Sequence, residues 1–215
     1  MNLTQELANY QSQFQTKVPA QLQSVMKRAT KDLADSHIID RTLKVGDRIP
    51  VFSLPDALGQ NFEIKTALQQ GYAVISFYRG GWCPYCNLEL KALQQILPDI
   101  EAAGAKLIAI SPETPDSSLS TKEKNELDFV VLSDQGNKVA QEFGLVFELP
   151  MELRPIYRGF GIDIESHNGD KSFKLPVPAT YVVAPSGEIV YAFADADYTK
   201  RAEPDEVIAA LKQTA

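Results

Sequence analysis

The chain holds two cysteines, Cys83 and Cys86, three residues apart. A disulfide framework uses several cysteines to close long loops, and this pair closes almost none. A structural zinc site takes four ligands, and beyond the two thiols there are only His37 and His167, both distant in sequence. No metal or other cofactor is therefore expected. Two thiols at this spacing suit redox exchange, in which one sulfur attacks and the other resolves the adduct as a disulfide.

Such chemistry needs an ionised sulfur, and the flanking residues provide for one. Pro84 suits the first position of a helix, which makes Cys83 the N-cap and puts Cys86 in the first turn. The unsatisfied N–H groups and positive dipole end of a helix N-terminus stabilise a thiolate there. The i, i+3 spacing brings the two Cβ atoms within about 5–6 Å, near enough for a disulfide to close with small adjustments. Arg79 adds positive charge, and Trp82 adjoins the first sulfur. Gly80-Gly81 reads either as the turn a tight strand-to-helix connection demands or as backbone presented to a substrate.

The elements that must hold this turn are legible around it. Ala73-Val74-Ile75-Ser76-Phe77-Tyr78 is a continuous apolar run of the kind buried on both faces of a sheet. The helix opened by Pro84 runs to about Ala103, with Pro98 able to kink it and Gly104 as C-cap. Strands follow at Lys106 to Ile110 and Phe129 to Leu132, separated by a polar loop and helix, and a short helix spans Asn137 to Phe143. This alternation predicts parallel βαβ units. Thr180 to Ala184 and Glu188 to Phe193 pair through Pro185-Ser186-Gly187, and Pro204 opens a closing helix. Short β pieces at Pro50 to Leu54 and Asn61 to Ile64 suggest a further hairpin.

Two regions lie outside this rhythm. Over residues 1–40 the stripes Leu3, Leu7, Tyr10, Phe14 and Leu22, Val25, Met26, Ala29, Leu33 predict two helices, the second with Pro19 at its first position. Their expected role is to pack on the domain; a dimerisation or docking hairpin is the alternative. The domain proper takes residues 41–215, with an insertion expected at about 145–175. That stretch is aromatic and basic at Arg154, Tyr157, Arg158 and Phe160, and reads as a solvated loop around His167. Arg154 and Arg158 are expected to be surface charge, with an approach to the thiols as the alternative.

Composition narrows the partners. With 44% hydrophobic and 23% charged residues the chain is an ordinary globular protein, and its net charge of −7, with no dense Lys/Arg run, argues against nucleic acid or an anionic membrane. No basic-then-apolar leader opens the sequence, so the cytoplasm is the expected compartment. A homodimer is possible.

From residue 45 the chain resembles the peroxiredoxins of the alkyl hydroperoxide reductase/thiol-specific antioxidant type. The likeness is carried by Val45-Gly46-Asp47 through Pro50, Phe52, Leu54 and Gly59, by Ser76-Phe77-Tyr78 before a cysteine-bearing helix, and by Pro178-Ala179-Thr180-Tyr181-Val182-Val183 with Ser186-Gly187-Glu188-Ile189. It implies an α/β, thioredoxin-like fold with a central mixed sheet flanked by helices, hydroperoxide as oxidant, and an external thiol such as thioredoxin or glutathione as reductant. Aligned on Phe77-Tyr78 and Glu89-Leu90, the family's peroxidatic cysteine falls on Cys86. Arg79 stands where that family keeps a proline and Cys83 where it keeps a threonine or serine. The resemblance also favours a cis peptide before Pro178, facing the cysteines; a strand-start proline is the alternative. Cys83-Pro84-Tyr85-Cys86 is in turn similar to the glutaredoxin tetrapeptide, which implies attack by Cys83. The expected function is a thiol peroxidase cycling Cys83 and Cys86 between dithiol and disulfide. A disulfide reductase without peroxidase activity is the second reading, and Cu(I) held by the cysteines with His167 a third.

Overall fold

A computed structural model describes residues 2–213. Its centre is a five-stranded sheet in the order β5-β4-β3-β8-β9, formed by β3 (Tyr72–Phe77), β4 (Ala105–Ser111), β5 (Val130–Ser133), β8 (Ala179–Val183) and β9 (Ile189–Ala194). β3, β4 and β5 run parallel, while β8 is antiparallel to β3 and β9 to β8. Two small antiparallel ribbons stand outside it: β1 (Ser53–Pro55) with β2 (Asn61–Glu63), and β6 (Val146–Glu148) with β7 (Lys174–Pro176).

The parallel strands are uninterrupted apolar runs because both their faces are covered. Successive side chains point to opposite sides, so Val74, Leu107, Ala109 and Val182 enter one core while Ile75, Phe77, Ile108, Ile110, Tyr181 and Val183 enter the other. The first core is roofed by α4 (Pro84–Gln95), α5 (Leu97–Ala102), α10 (Pro204–Gln213) and α1 (Leu3–Lys17); the second is covered by α3 (Ile64–Leu68), α7 (Lys138–Glu142) and the β1 strand. The helix opened by Pro84 divides at Ile96, since Pro98 lacks the N–H that a continuous helix would spend on residue 94.

The two N-terminal helices pack on the domain. Leu3 and Leu7 of α1 are buried in the same core as both cysteines, and the Thr4 amide donates to Glu203 Oε1 at 2.6 Å, beside the start of α10. α2 (Ala20–Asp35) buries Met26 and Ala29 in a third cluster with Leu149, Leu153, Ile156 and Tyr157. Pro19 is the N-cap of α2 rather than its first helical residue. Residues 145–175 hold the β6–β7 ribbon and two short helices, α8 (Arg154–Gly159) and α9 (Ile164–Asn168), while α6 (Pro115–Lys124) spans β4 to β5. Among the described residues, no helix is long and apolar enough to cross a membrane.

Candidate active site

The turn after β3 delivers the cysteines. Tyr78 ends the strand in full burial, and residues 79–82 fold back so that the Cys83 amide donates to Gly80 O at 3.1 Å. Both glycines are required by space. Gly80 has φ +144°, and a Cβ there would lie 2.3 Å from the Trp82 indole nitrogen; a Cβ on Gly81 would lie 1.9 Å from Thr121 Oγ1 of α6. The turn is braced by Asn87, whose Nδ2 donates to Gly81 O at 2.9 Å while its Oδ1 accepts from Asn125 Nδ2 at 3.1 Å.

Cys83 is the N-cap of α4, in extended conformation, and Pro84 follows in the first turn. Both sulfurs are covered: Cys83 is 2% exposed and Cys86 0%. The cover is aromatic. Tyr85, between the two cysteines, meets Tyr10 of α1 edge-on at 5.0 Å and Tyr198 at 5.6 Å. Cys83 nonetheless lines a cavity of ≈ 450 Å³ together with Tyr10, Phe14, Arg79, Trp82 and Tyr157. Cys86 lies beneath it in the core.

Two buried arginines serve the two sulfurs. Arg79 is enclosed by rings, 4.7 Å from the Tyr198 centroid, 5.1 Å from that of Trp82 and 5.5 Å from that of Tyr157, and it hydrogen-bonds the Tyr157 hydroxyl. Arg201, from the segment between β9 and α10, places Nη2 3.3 Å from Cys86 Sγ. Its Nε pairs with the Glu89 carboxylate, and its Nη1 donates to the carbonyls of Tyr198 and Lys200, both at 2.7 Å. Glu89 Oε1 also accepts from Thr180 Oγ1 of β8 at 3.3 Å.

These neighbours split the two thiols. Hydrogen bonding from the Cys86 thiol, with the charges of Arg79 and Arg201, outweighs burial and pulls Cys83 down to about 6. Burial, and then the anion at Cys83, push Cys86 well above the ordinary thiol range despite Arg201. The pair thus releases one proton readily and holds the second. Burial, with the charge at Cys86 adding to it, lifts Glu89 to about 7 against the pull of Arg201.

The remaining sequence-singled residues fall in different places. Pro178 directly precedes β8, and no cis peptide occurs among the described residues, so the cis expectation is corrected: the chain enters the strand by an ordinary trans proline. Pro178 lines a second cavity of ≈ 240 Å³, which Arg79, Tyr157 and Tyr198 also border. Arg154 bonds Glu148 at 2.5 Å and lies over the Phe173 ring at 4.1 Å, and Arg158 bonds Glu165 at 2.6 Å, so both are engaged away from the thiols. His167 is not in a solvated loop; it lies in the last turn of α9, with Nδ1 3.2 Å from the fully buried Glu113. Arg201, Glu89, Tyr157 and Tyr198 were not selected from the sequence as site residues. Glu89, at Cys86 plus three on a helix, carried a readable signal; Arg201 carried none.

A strand, a glycine turn and a helix capped by a thiol, on a mixed five-stranded sheet, make a thioredoxin-like arrangement. The family model described as the AhpC/TSA family matches residues 45–192. The chain belongs to this family. It is similar to peroxiredoxin Bcp of Escherichia coli K12, 32% identical over 103 residues, which span 48% of this chain and 65% of that one. It is also similar to a putative peroxiredoxin of Mycobacterium tuberculosis, 30% identical over 151 residues, or 70% of this chain and 84% of that one. Among solved structures, peroxidoxin BcpB of M. tuberculosis superposes with a TM-score of 0.64 at 20% identity, covering 80% of this chain and 99% of that one. A mutant PrxQ of Xylella fastidiosa gives 0.62 at 18%, covering 80% and 97%. The fold expected from the sequence is the fold observed. The E. coli relative is matched over just under two thirds of its length. The family match leaves out residues 1–44 and 193–215, and with them α1, which packs in the core with both cysteines, and the site residues Tyr198 and Arg201.

Proposed function

We propose that the protein is a thiol peroxidase that reduces hydroperoxides by cycling Cys83 and Cys86 between dithiol and disulfide, with Cys83 as the attacking sulfur. The observation that carries the reading is the division of labour within the pair: Cys83 borders the cavity and is held as the acidic thiol, while Cys86 lies beneath it as the retained one. Peroxiredoxin relatives favour this reading over a disulfide reductase. The Cys83 thiolate attacks the terminal oxygen of ROOH and breaks the O–O bond. The alkoxide leaves as ROH with one proton, and Cys83 becomes a sulfenic acid. Cys86, ionising beside Arg201, then attacks the Cys83 sulfur; hydroxide departs and takes a proton to form water. In this reading the sulfur at position 83, where the family keeps a hydroxyl, attacks, and Cys86, where the family keeps its reactive cysteine, resolves. An external thiol returns the disulfide to the dithiol. No cofactor enters the cycle. Stopped-flow mixing of the reduced protein with hydrogen peroxide tests the reading. Oxidation well above the rate of a free thiol at the same pH supports it; oxidation at the free-thiol rate sinks it.

A further inference from the structure

The disulfide form of this cycle has an electrostatic consequence. Arg79 is 2% exposed, and among the described residues its Nε has no hydrogen-bond partner and its surroundings are rings rather than a carboxylate. Burial works against its charge, and Tyr157 and then the Cys83 thiolate of the reduced protein hold it. Closing the Cys83–Cys86 bond removes the thiolate charge and leaves a buried guanidinium beside the cavity. A buried cation without a counter-charge is costly, and an anion able to reach it is correspondingly favoured.

The cavity admits such an anion. Its described lining includes two cations, Arg79 within and exposed Lys17 of α1, and no carboxylate. Asp195 and Asp197 belong to an adjoining groove that shares Phe14, Met26, Tyr85 and Tyr198, and there Asp195 is paired with Lys200 at 3.1 Å. The local field therefore opposes the net charge of −7 on the whole chain. Cys83 is 2% exposed and shares its cavity with Tyr10, Phe14 and Lys17 of α1, so a reductant that fills the cavity touches α1 as well as the sulfur.

We infer that the reductant of this site is a low-molecular-weight thiol carrying a carboxylate, drawn in by Lys17 and Arg79. This rests on the proposed dithiol–disulfide cycle. In the step itself the reductant thiolate attacks Cys83 Sγ, the sulfur bordering the cavity, and a mixed disulfide forms as the Cys83–Cys86 bond breaks. Cys86 leaves as a thiolate beside Arg201 and takes up a proton. A second reductant thiolate attacks the sulfur of the first, releasing RSSR and restoring the Cys83 thiolate. Two RSH thus reduce one protein disulfide.

The test uses full-length protein oxidised with diamide, so that no peroxide step is involved. Its reduction is followed with 3-mercaptopropionate, 2-mercaptoethanol and cysteamine. Each rate is divided by that of the same thiol with a small neutral disulfide at the same pH, which removes intrinsic nucleophilicity. The inference predicts a normalised preference of roughly 3–10-fold for the anionic thiol over the neutral one, with the cationic one slowest. Salt shrinks the order. Lys17→Gln narrows it and Lys17→Glu reverses part of it. A flat order, a preference for cysteamine, or reduction by micromolar thioredoxin that outpaces millimolar 3-mercaptopropionate overturns the inference. Those outcomes leave the peroxide cycle standing. Failure of the reduced protein to react with peroxide, measured separately, tells against the cycle itself.

Discussion

Replacing Arg79 by methionine keeps an unbranched side chain among Trp82, Tyr157 and Tyr198 while removing one of the two guanidinium charges that act on Cys83. An opposite charge close to a titrating group moves it by about 1–3 units, and here Arg201 and the Cys86 thiol remain. The reasonable share for Arg79 is therefore about one unit. With Cys83 starting at about 6, the thiolate fraction at pH 7 is roughly 0.9, and a one-unit rise lowers it to roughly 0.5. The thiolate is the nucleophile, so reactivity falls as pH drops through about 6 in the wild type and at about one unit higher in the variant. Alkylation by iodoacetamide between pH 5 and 9, followed by mass spectrometry at Cys83, measures both curves. Arg79→Lys is the control: it retains the charge and should keep the midpoint within about half a unit. Coincident profiles for Arg79→Met and wild type would refute the claim that Arg79 acidifies Cys83. So would an equal shift for both variants, which assigns the effect to packing.

Three further outcomes follow from other contacts. At about pH 8.5, above the Glu89 midpoint of about 7, Glu89→Gln leaves Arg201 as a buried cation without its carboxylate and should cost about 3 kcal/mol in urea unfolding, with much of that recovered in Glu89→Gln/Arg201→Met. Gly81→Ala drives a methyl into Thr121 Oγ1, 1.9 Å away, and should destabilise the protein by about 1–3 kcal/mol, partly relieved by Thr121→Ala. Trp82 is the sole tryptophan and stacks on Arg79 beside Cys83, so its emission should shift on conversion of dithiol to disulfide; a titration with diamide that leaves the spectrum unchanged in wild type, as it should in Cys83→Ser, contradicts that placement.

The parts of the site legible in sequence are those set by local rules. Pro84 fixes where α4 begins, and the N-cap role of Cys83 follows from it. The apolar run before the turn declares a strand covered on both faces, and Pro98 declares the division of α4 from α5. Arg201 was not legible, because it reaches Cys86 across 115 positions from a segment with no periodicity. The burial of Cys83 was hidden for a related reason. The stripe of Leu3, Leu7 and Tyr10 announces a face to be buried but carries no information about which surface receives it. Pro178 shows the opposite error: family likeness suggested a special peptide where an ordinary strand-start proline suffices. His167 was misplaced because a polar run ending in glycine reads as a loop, whereas Gly169 at φ +69° closes a helix.

The division of roles between the two sulfurs is tested most directly by trapping the first oxidation product. Reduced Cys86→Ser is mixed with one equivalent of hydrogen peroxide in the presence of dimedone and digested for mass spectrometry, beside Cys83→Ser treated in the same way. The account predicts a sulfenic-acid adduct on Cys83 at near wild-type rate in the first variant, and little adduct on Cys86 in the second. Rapid adduct formation on Cys86 in Cys83→Ser, with Cys83 silent in Cys86→Ser, would contradict it.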